Sequence, residues 1–236
     1  MQTNKRTFVL LHGAWCGGWC WRRVADLLEA QGHKVYTPTL TGLGERSHLL
    51  SGAITLDTHV TDLVNVFEWE DLSDVVLVAH SYGGFVASGA AEHVQSSISC
   101  IVFVDAFLPQ NGESLLDLRP KDQPVGQFSD AKTEVGLPAP PARAFHVNDE
   151  DEAWVNAKMT PQPIGTFMSH IALSGARDRI GRKIYVRSTE YQNPRFDSYF
   201  AAAKADPAWG TFQVQSGHAV MIDAPGQLAD ILGKVA

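Results

Sequence analysis

Three short runs in this chain carry apolar side chains on both faces: Phe8-Val9-Leu10-Leu11, Val75-Val76-Leu77-Val78-Ala79 and Ile101-Val102-Phe103-Val104. A strand with one wet face alternates polar and apolar residues, and these do not. Each must be covered above and below, the situation of a parallel strand between helical layers. The intervening sequence supplies the helices: Trp19 to Ala30, ended by Gly32; Leu56 to Glu70, with Thr55 or Asp57 near its cap; and Gly83 to Val94. With Lys34 to Pro38, Lys183 to Arg187 and Thr211 to Val214 as further strands, the expectation is a mostly parallel six-stranded sheet. Pro194 to Ala205 and Pro225 to Val235 complete the helices on its two faces.

The rhythm breaks after Asp105. From about 107 to 179 the chain is proline-rich, with Pro138-Ala139-Pro140-Pro141 and Pro161-Gln162-Pro163, and shows no clear strand. The expected organisation is one domain with a core of 1–106 and 180–236 and a cap insertion at 107–179. Such an insertion over one end of a sheet is where substrate-enclosing side chains are found.

At the junction between the third strand and its helix stands Ala79-His80-Ser81-Tyr82-Gly83. A serine flanked two residues either side by small residues, between a strand and a helix, fits a nucleophile elbow. The turn is sharp enough that bulk at the flanking positions would collide with neighbouring chain, so alanine serves at 79 as glycine would. Ser81 is the candidate nucleophile. Leu11-His12-Gly13-Ala14-Trp15, at the end of the first strand, can aim the Ala14 N–H at the space above Ser81. Paired with the Tyr82 N–H it would form an oxyanion hole.

The base is expected on the loop after the last strand, where Ser216-Gly217-His218 provides His218. His12 reads as a loop-holding histidine, and His33, His48, His59, His93 and His146 as solvated surface residues. His80 adjoins the nucleophile but should point away from it, and His170 lies in the insertion within reach of a substrate. Three carboxylates suit the acid: Asp105 at the tip of the fourth strand, Glu190 and Asp197. Asp105 is preferred because a carboxylate ending an apolar strand is costly without a partner, which a histidine can supply. Trp15, Trp154, Phe167, Met168 and His170 are the candidate pocket residues, with Met159 a further apolar side chain of the insertion.

A formal charge of −7 argues against nucleic acid or an anionic membrane as partner. No apolar stretch approaches 18 residues, and the N-terminus has no signal-peptide pattern. Three cysteines, without a CxxC pair, suit reduced thiols rather than a disulfide framework or zinc site. A soluble cytoplasmic protein with reduced thiols is the resulting expectation, with a homodimer left open.

The stretch from Phe8 to Trp21, the segment Leu27 to Val35, the elbow and Gly217-His218 together resemble the α/β-hydrolase superfamily. They are most similar to its plant methylesterase and hydroxynitrile lyase branch and to related bacterial esterases. The resemblance covers the core and fades across the insertion. It implies the α/β-hydrolase fold and a Ser–His–acid hydrolase without a cofactor or metal. The lyases of the branch carry threonine where this chain has Gly13 and lysine where it has Ala219, which argues against cyanohydrin cleavage. The branch's usual aspartate after the later strand is missing from Ser188-Thr189-Glu190-Tyr191-Gln192. The expected function is a carboxylesterase for small to medium, largely apolar esters. The alternatives are a lyase, an amide, lactam or thioester hydrolase on the same triad, or a receptor using the pocket.

Overall fold

The computed structural model describes residues 5–118 and 135–235. Six strands form one parallel sheet: β1 (Thr7–Leu11), β2 (Lys34–Tyr36), β3 (Val75–His80), β4 (Ile98–Val104), β7 (Lys183–Ser188) and β8 (Trp209–Val214), in the order β2-β1-β3-β4-β7-β8. Two further strands among the described residues, β5 (Gly136–Leu137) and β6 (Gln162–Pro163), make a separate antiparallel pair within the 107–179 segment. Two-residue strands carry no periodicity, so this pair leaves no mark in the amino-acid pattern.

Alternation along each strand sorts the core into two halves. Val9, Leu11, Leu77, Ala79, Ile101, Phe103 and Tyr185 face one side, with α2 (Leu56–Trp69) and α3 (Gly83–Val94). Phe8, Leu10, Val76, Val78, Val102, Val104, Ile184 and Val186 face the other, with α1 (Arg22–Ala30) and α8 (Pro225–Val235). The two-sided apolar runs thus have two helical layers to cover them.

Local chemistry accounts for most element ends. Thr55 and Thr58 form a reciprocal capping box at the start of α2. Asn193 caps α6 (Pro194–Ala205), whose first residue is a proline with no N–H to lose. The acidic run 149–152 opens α4 (Asp149–Lys158) behind an Asn148 cap, with four negative charges at the positive end of the helix. The expected first helix divides: Gly18–Trp21 is a 3-10 turn, and the α-helix begins only at Arg22. The second strand stops at Tyr36, short of Pro38, with three paired positions.

The register places the chemistry. His80 pairs with Val104 across β3 and β4, and Val104 with Val186 across β4 and β7. The next residue on each chain, Ser81, Asp105 and Arg187, therefore emerges at one level across three adjacent strands. Gly84 lets the chain after Asp105 cross α3 closely, since a Cβ there would lie 2.1 Å from the Phe107 carbonyl oxygen.

Candidate active site

Ser81 sits one residue past the β3 ladder with φ of +52°, a left-handed conformation that a serine adopts at a cost of about 1–2 kcal/mol. Its carbonyl accepts from the N–H groups of Gly84 (3.0 Å) and Phe107 (3.1 Å), which hold the turn. Space around it comes from missing side chains. A Cβ on Gly13 would lie 2.9 Å from Ser81 Cβ, and one on Gly83 would lie 2.8 Å from the His12 carbonyl oxygen.

His218 follows β8. Its Nε2 lies 2.9 Å from Ser81 Oγ and its Nδ1 2.9 Å from Asp105 Oδ2. With a carboxylate on Nδ1, that nitrogen carries the proton, and Nε2 accepts from the serine hydroxyl. The main chain is held at both ends: His218 N–H donates to Phe145 O (2.9 Å), and His80 Nε2–H donates to His218 O (2.9 Å). Gly217 permits the approach, because a Cβ there would lie 2.0 Å from His146 O. The imidazole packs among the rings of Tyr191 (4.6 Å), Phe196 (5.5 Å, nearly parallel) and Phe145 (5.9 Å).

Asp105 is fully buried and also has positive φ, +45°. Its Oδ1 accepts from Arg187 Nη1 (2.8 Å) and Ser188 N–H (3.1 Å), and its Oδ2 from Ser188 Oγ (2.7 Å) and His218. Burial pushes this carboxyl upward. The His218 hydrogen bond and charge, the Arg187 guanidinium and the Ser188 hydroxyl outweigh it, leaving Asp105 below the usual carboxylate range. Glu190 is exposed, and its backbone rather than its carboxylate bonds the neighbouring loop. Asp197 meets Arg187 at 2.9 Å and not the histidine. Of the three carboxylates named from sequence, Asp105 meets His218.

The N–H groups of Ala14 and Tyr82 donate to no acceptor among the described residues. The loop carrying Ala14 is anchored through its neighbours. Trp15 N–H donates to Gln162 Oε1 (2.9 Å), Trp15 Nε1 to Leu137 O (3.1 Å), and Thr160 N–H to Trp15 O (2.9 Å). His12 is buried, donating from Nδ1 to Gly13 O and accepting the Leu40 N–H at Nε2, and burial lowers it to about 4.

Two histidines read as solvated are not. His59 is fully buried; it donates from Nε2 to Thr41 O and accepts the Tyr82 hydroxyl at Nδ1, and burial lowers it to about 4. It lies on the apolar stripe of α2 between Leu56, Val60 and Leu63, so helical phase carries it inward. His33 is buried too, accepting the Arg6 N–H and stacking edge-on against Phe8.

Ser81 and His218 open into a narrow apolar cavity of about 30 Å³, walled by Trp15, Cys16, Phe145, Val155, Met159 and Met221. A wider surface groove of about 500 Å³ beside Tyr36, Arg46 and Trp69 holds none of Ser81, His218 and Asp105. Of the five pocket residues expected, Trp15 reaches the cavity. Trp154 turns edge-on to Trp19 (5.0 Å), because its neighbour Val155, about 100° around α4, takes the inward position. Phe167 packs behind Trp15 and Tyr82, Met168 is 54% exposed, and His170 projects outward beside Asp117 (3.5 Å). Arg187, Ser188 and Phe145 were missed. A charged residue directly after Ile184-Tyr185-Val186, at the end of a buried strand, was the available signal for the first of them.

No group of three or more His, Cys, Asp or Glu side chains suited to a metal gathers among the described residues.

The profile of the alpha/beta hydrolase family matches residues 8–231. A carbendazim-hydrolysing esterase of Nocardioides sp. (strain SG-4G) is 38% identical over 97% of this chain and 98% of its own length. The putative chloroplastic methylesterase 15 of Arabidopsis thaliana is 29% identical over 98% of this chain, which spans 56% of that relative. Among solved structures, an extracellular alpha/beta-hydrolase from a Paenibacillus species superposes with a TM-score of 0.84, at 25% identity, over 98% of this chain and 99% of that one. Tomato methylketone synthase I, at 21% identity and a TM-score of 0.77, covers 99% and 100% and shares the fold. The order of the six parallel strands, the matched span and the full-length relative agree: this chain belongs to the alpha/beta hydrolase family.

Proposed function

We propose that the chain is a serine carboxylesterase in which Ser81, His218 and Asp105 act as nucleophile, base and acid. The carrying observation is the unbroken line of two 2.9 Å contacts from carboxylate through imidazole to hydroxyl, ending beside an apolar cavity. His218 takes the Ser81 proton as the oxygen attacks the ester carbonyl, and Asp105 stabilises the imidazolium that forms. The N–H groups of Ala14 and Tyr82 receive the developing oxyanion, each contributing about 3–4 kcal/mol. His218 then returns its proton to the leaving alcohol. A water activated by the same imidazole releases the acid and frees Ser81.

The apolar wall favours small, largely apolar acyl groups. The described stretch 135–179 acts as a cap, since Phe145, Val155 and Met159 from it face Ser81 across the cavity. The esterase and methylesterase names of the relatives support an ester as substrate. Three cysteines that stand unpaired support a reducing, cytoplasmic setting. Turnover of p-nitrophenyl acetate and butyrate, with covalent labelling of Ser81 by a fluorophosphonate, tests the reading. Cyanide release from a cyanohydrin without ester turnover, or an unlabelled Ser81, overturns it.

A further inference from the structure

The acid is held by an arginine that catalysis by a serine, a histidine and a carboxylate does not itself require. Arg187 is buried on β7 and spreads its guanidinium over four partners. Nη1 donates to Asp105 Oδ1 (2.8 Å) and to the carbonyl and hydroxyl of Ser188; Nη2 donates to Tyr191 O (2.6 Å), and Nε to Asp197 Oδ1 (2.9 Å). Asp105 presents its two oxygens to different tasks: Oδ1 faces Arg187, and Oδ2 faces His218. Through Tyr191 O the same guanidinium ties down the loop whose ring packs 4.6 Å from the imidazole.

We propose that Arg187 is a positioning residue that fixes the rotation of the Asp105 carboxylate and the Tyr191 loop, and so aims His218 at Ser81. The proposal rests on the triad reading above. A carboxylate anchored by Ser188 alone keeps freedom to turn about Cβ–Cγ, whereas the charged Arg187 Nη1 on Oδ1, fixed in place by the guanidinium's bonds to Ser188, Tyr191 and Asp197, holds the orientation that leaves Oδ2 to His218. Burial sharpens the arrangement, because neither charge has water as an alternative partner. The other titratable groups facing this pair are His80 from β3, Tyr185 from β7, Tyr191 from the loop that follows it, and Asp197 from α6. His80, held at about 3 by burial and by His218, stays neutral across the working range.

The test is a kinetic cycle with p-nitrophenyl acetate on Arg187→Met, Arg187→Lys, Asp105→Asn and the Arg187→Met/Asp105→Asn double variant. Circular dichroism of each provides the folded fraction. Arg187→Met should lower kcat roughly 10²-fold with KM little changed, as expected for a misaimed reacting group. Arg187→Lys, which keeps the charge and loses the fork, should recover part of that loss. In the Asp105→Asn background the same arginine change should cost less than about 3-fold, since the two act as one unit. Loss of the cation makes Asp105 easier to protonate, so the acidic limb of kcat/KM in Arg187→Met should move to higher pH. Should the methionine variant not fold, the lysine variant and its own Asp105→Asn double carry the cycle. Unchanged kcat per folded molecule, an undiminished loss in the Asp105→Asn background, or a uniform loss at every pH overturns the proposal. Full activity in Asp105→Asn itself overturns the triad reading instead.

Discussion

The two ends of the Asp105–His218–Ser81 line are built by opposite means. Around Ser81 the shape is set by absent atoms: Gly13, Gly83 and Gly84 let backbone approach backbone, and the serine is held by main-chain hydrogen bonds. Around Asp105 it is set by charge: a buried carboxylate, a buried guanidinium, the Ser188 hydroxyl and an imidazole satisfy one another. Both Ser81 and Asp105 have positive φ one residue beyond adjacent strands, so the same backbone device is stabilised in two different ways. A steric site fails when bulk is added, whereas an electrostatic site fails when a partner is removed.

That contrast orders the expected effects. With Ser81 as the proposed nucleophile, Ser81→Ala should lower kcat by ~10⁴-fold or more, leaving binding to substrate measurable by inhibition. Gly13→Ala should break the steric end alone. Its Cβ would lie 2.9 Å from Ser81 Cβ, and the displacement should cut kcat on the order of 10²-fold while thermal unfolding shifts only modestly.

The electrostatic contrast extends to pH. His12, His59 and His80 are held by burial near 4, 4 and 3, below the usual imidazole value of 6.5. The unfolded chain binds protons at these groups below pH 6.5 where the folded one does not, so their neutral burial stabilises the fold above 6.5. That contribution is lost as pH falls from 6.5 towards 4, on the order of 3 kcal/mol for each group. The depressed Asp105 acts at lower pH: its share is present above the unfolded carboxylate range and is lost as pH falls through its folded value. Chemical denaturation across pH 7 to 4 should show a steep loss of stability, and His59→Gln should flatten the upper part of that slope. The smallest effect is expected in the cavity wall. Met159→Ala should change the butyrate-to-acetate ratio a few-fold, while Met168→Ala, at an exposed side chain, should leave it within about 2-fold.

The same contrast explains what the sequence disclosed. Steric sites leave local marks: small residues at 79, 83 and 84 around Ser81, and His12-Gly13 at a strand end, are adjacent in the chain and readable there. The parallel sheet was legible because burial on both faces imprints continuous apolar runs. The charged site is assembled from residues about 80 to 110 positions apart, as in Arg187 with Asp105 (82) and His218 with Asp105 (113), so local patterning is silent about who meets whom. Asp105 was nevertheless singled out, because an ionised group ending an apolar strand demands a partner. The same logic, applied to Arg187, would have found the other half of the pair. Trp154, Met168 and His170 were misplaced for a different reason: where a segment shows no clear apolar periodicity, adjacent residues such as Trp154 and Val155 face different ways, and composition does not say which faces inward.

The most direct test of the central claim compares Asp105→Asn with Glu190→Gln for kcat/KM on p-nitrophenyl acetate. With Asp105 as the partner of His218, the first should fall by roughly 10³–10⁴-fold and the second should stay within about 2-fold of the parent, since the Glu190 carboxylate does not meet the histidine. The reverse ranking, or an equal loss in both, would contradict the account.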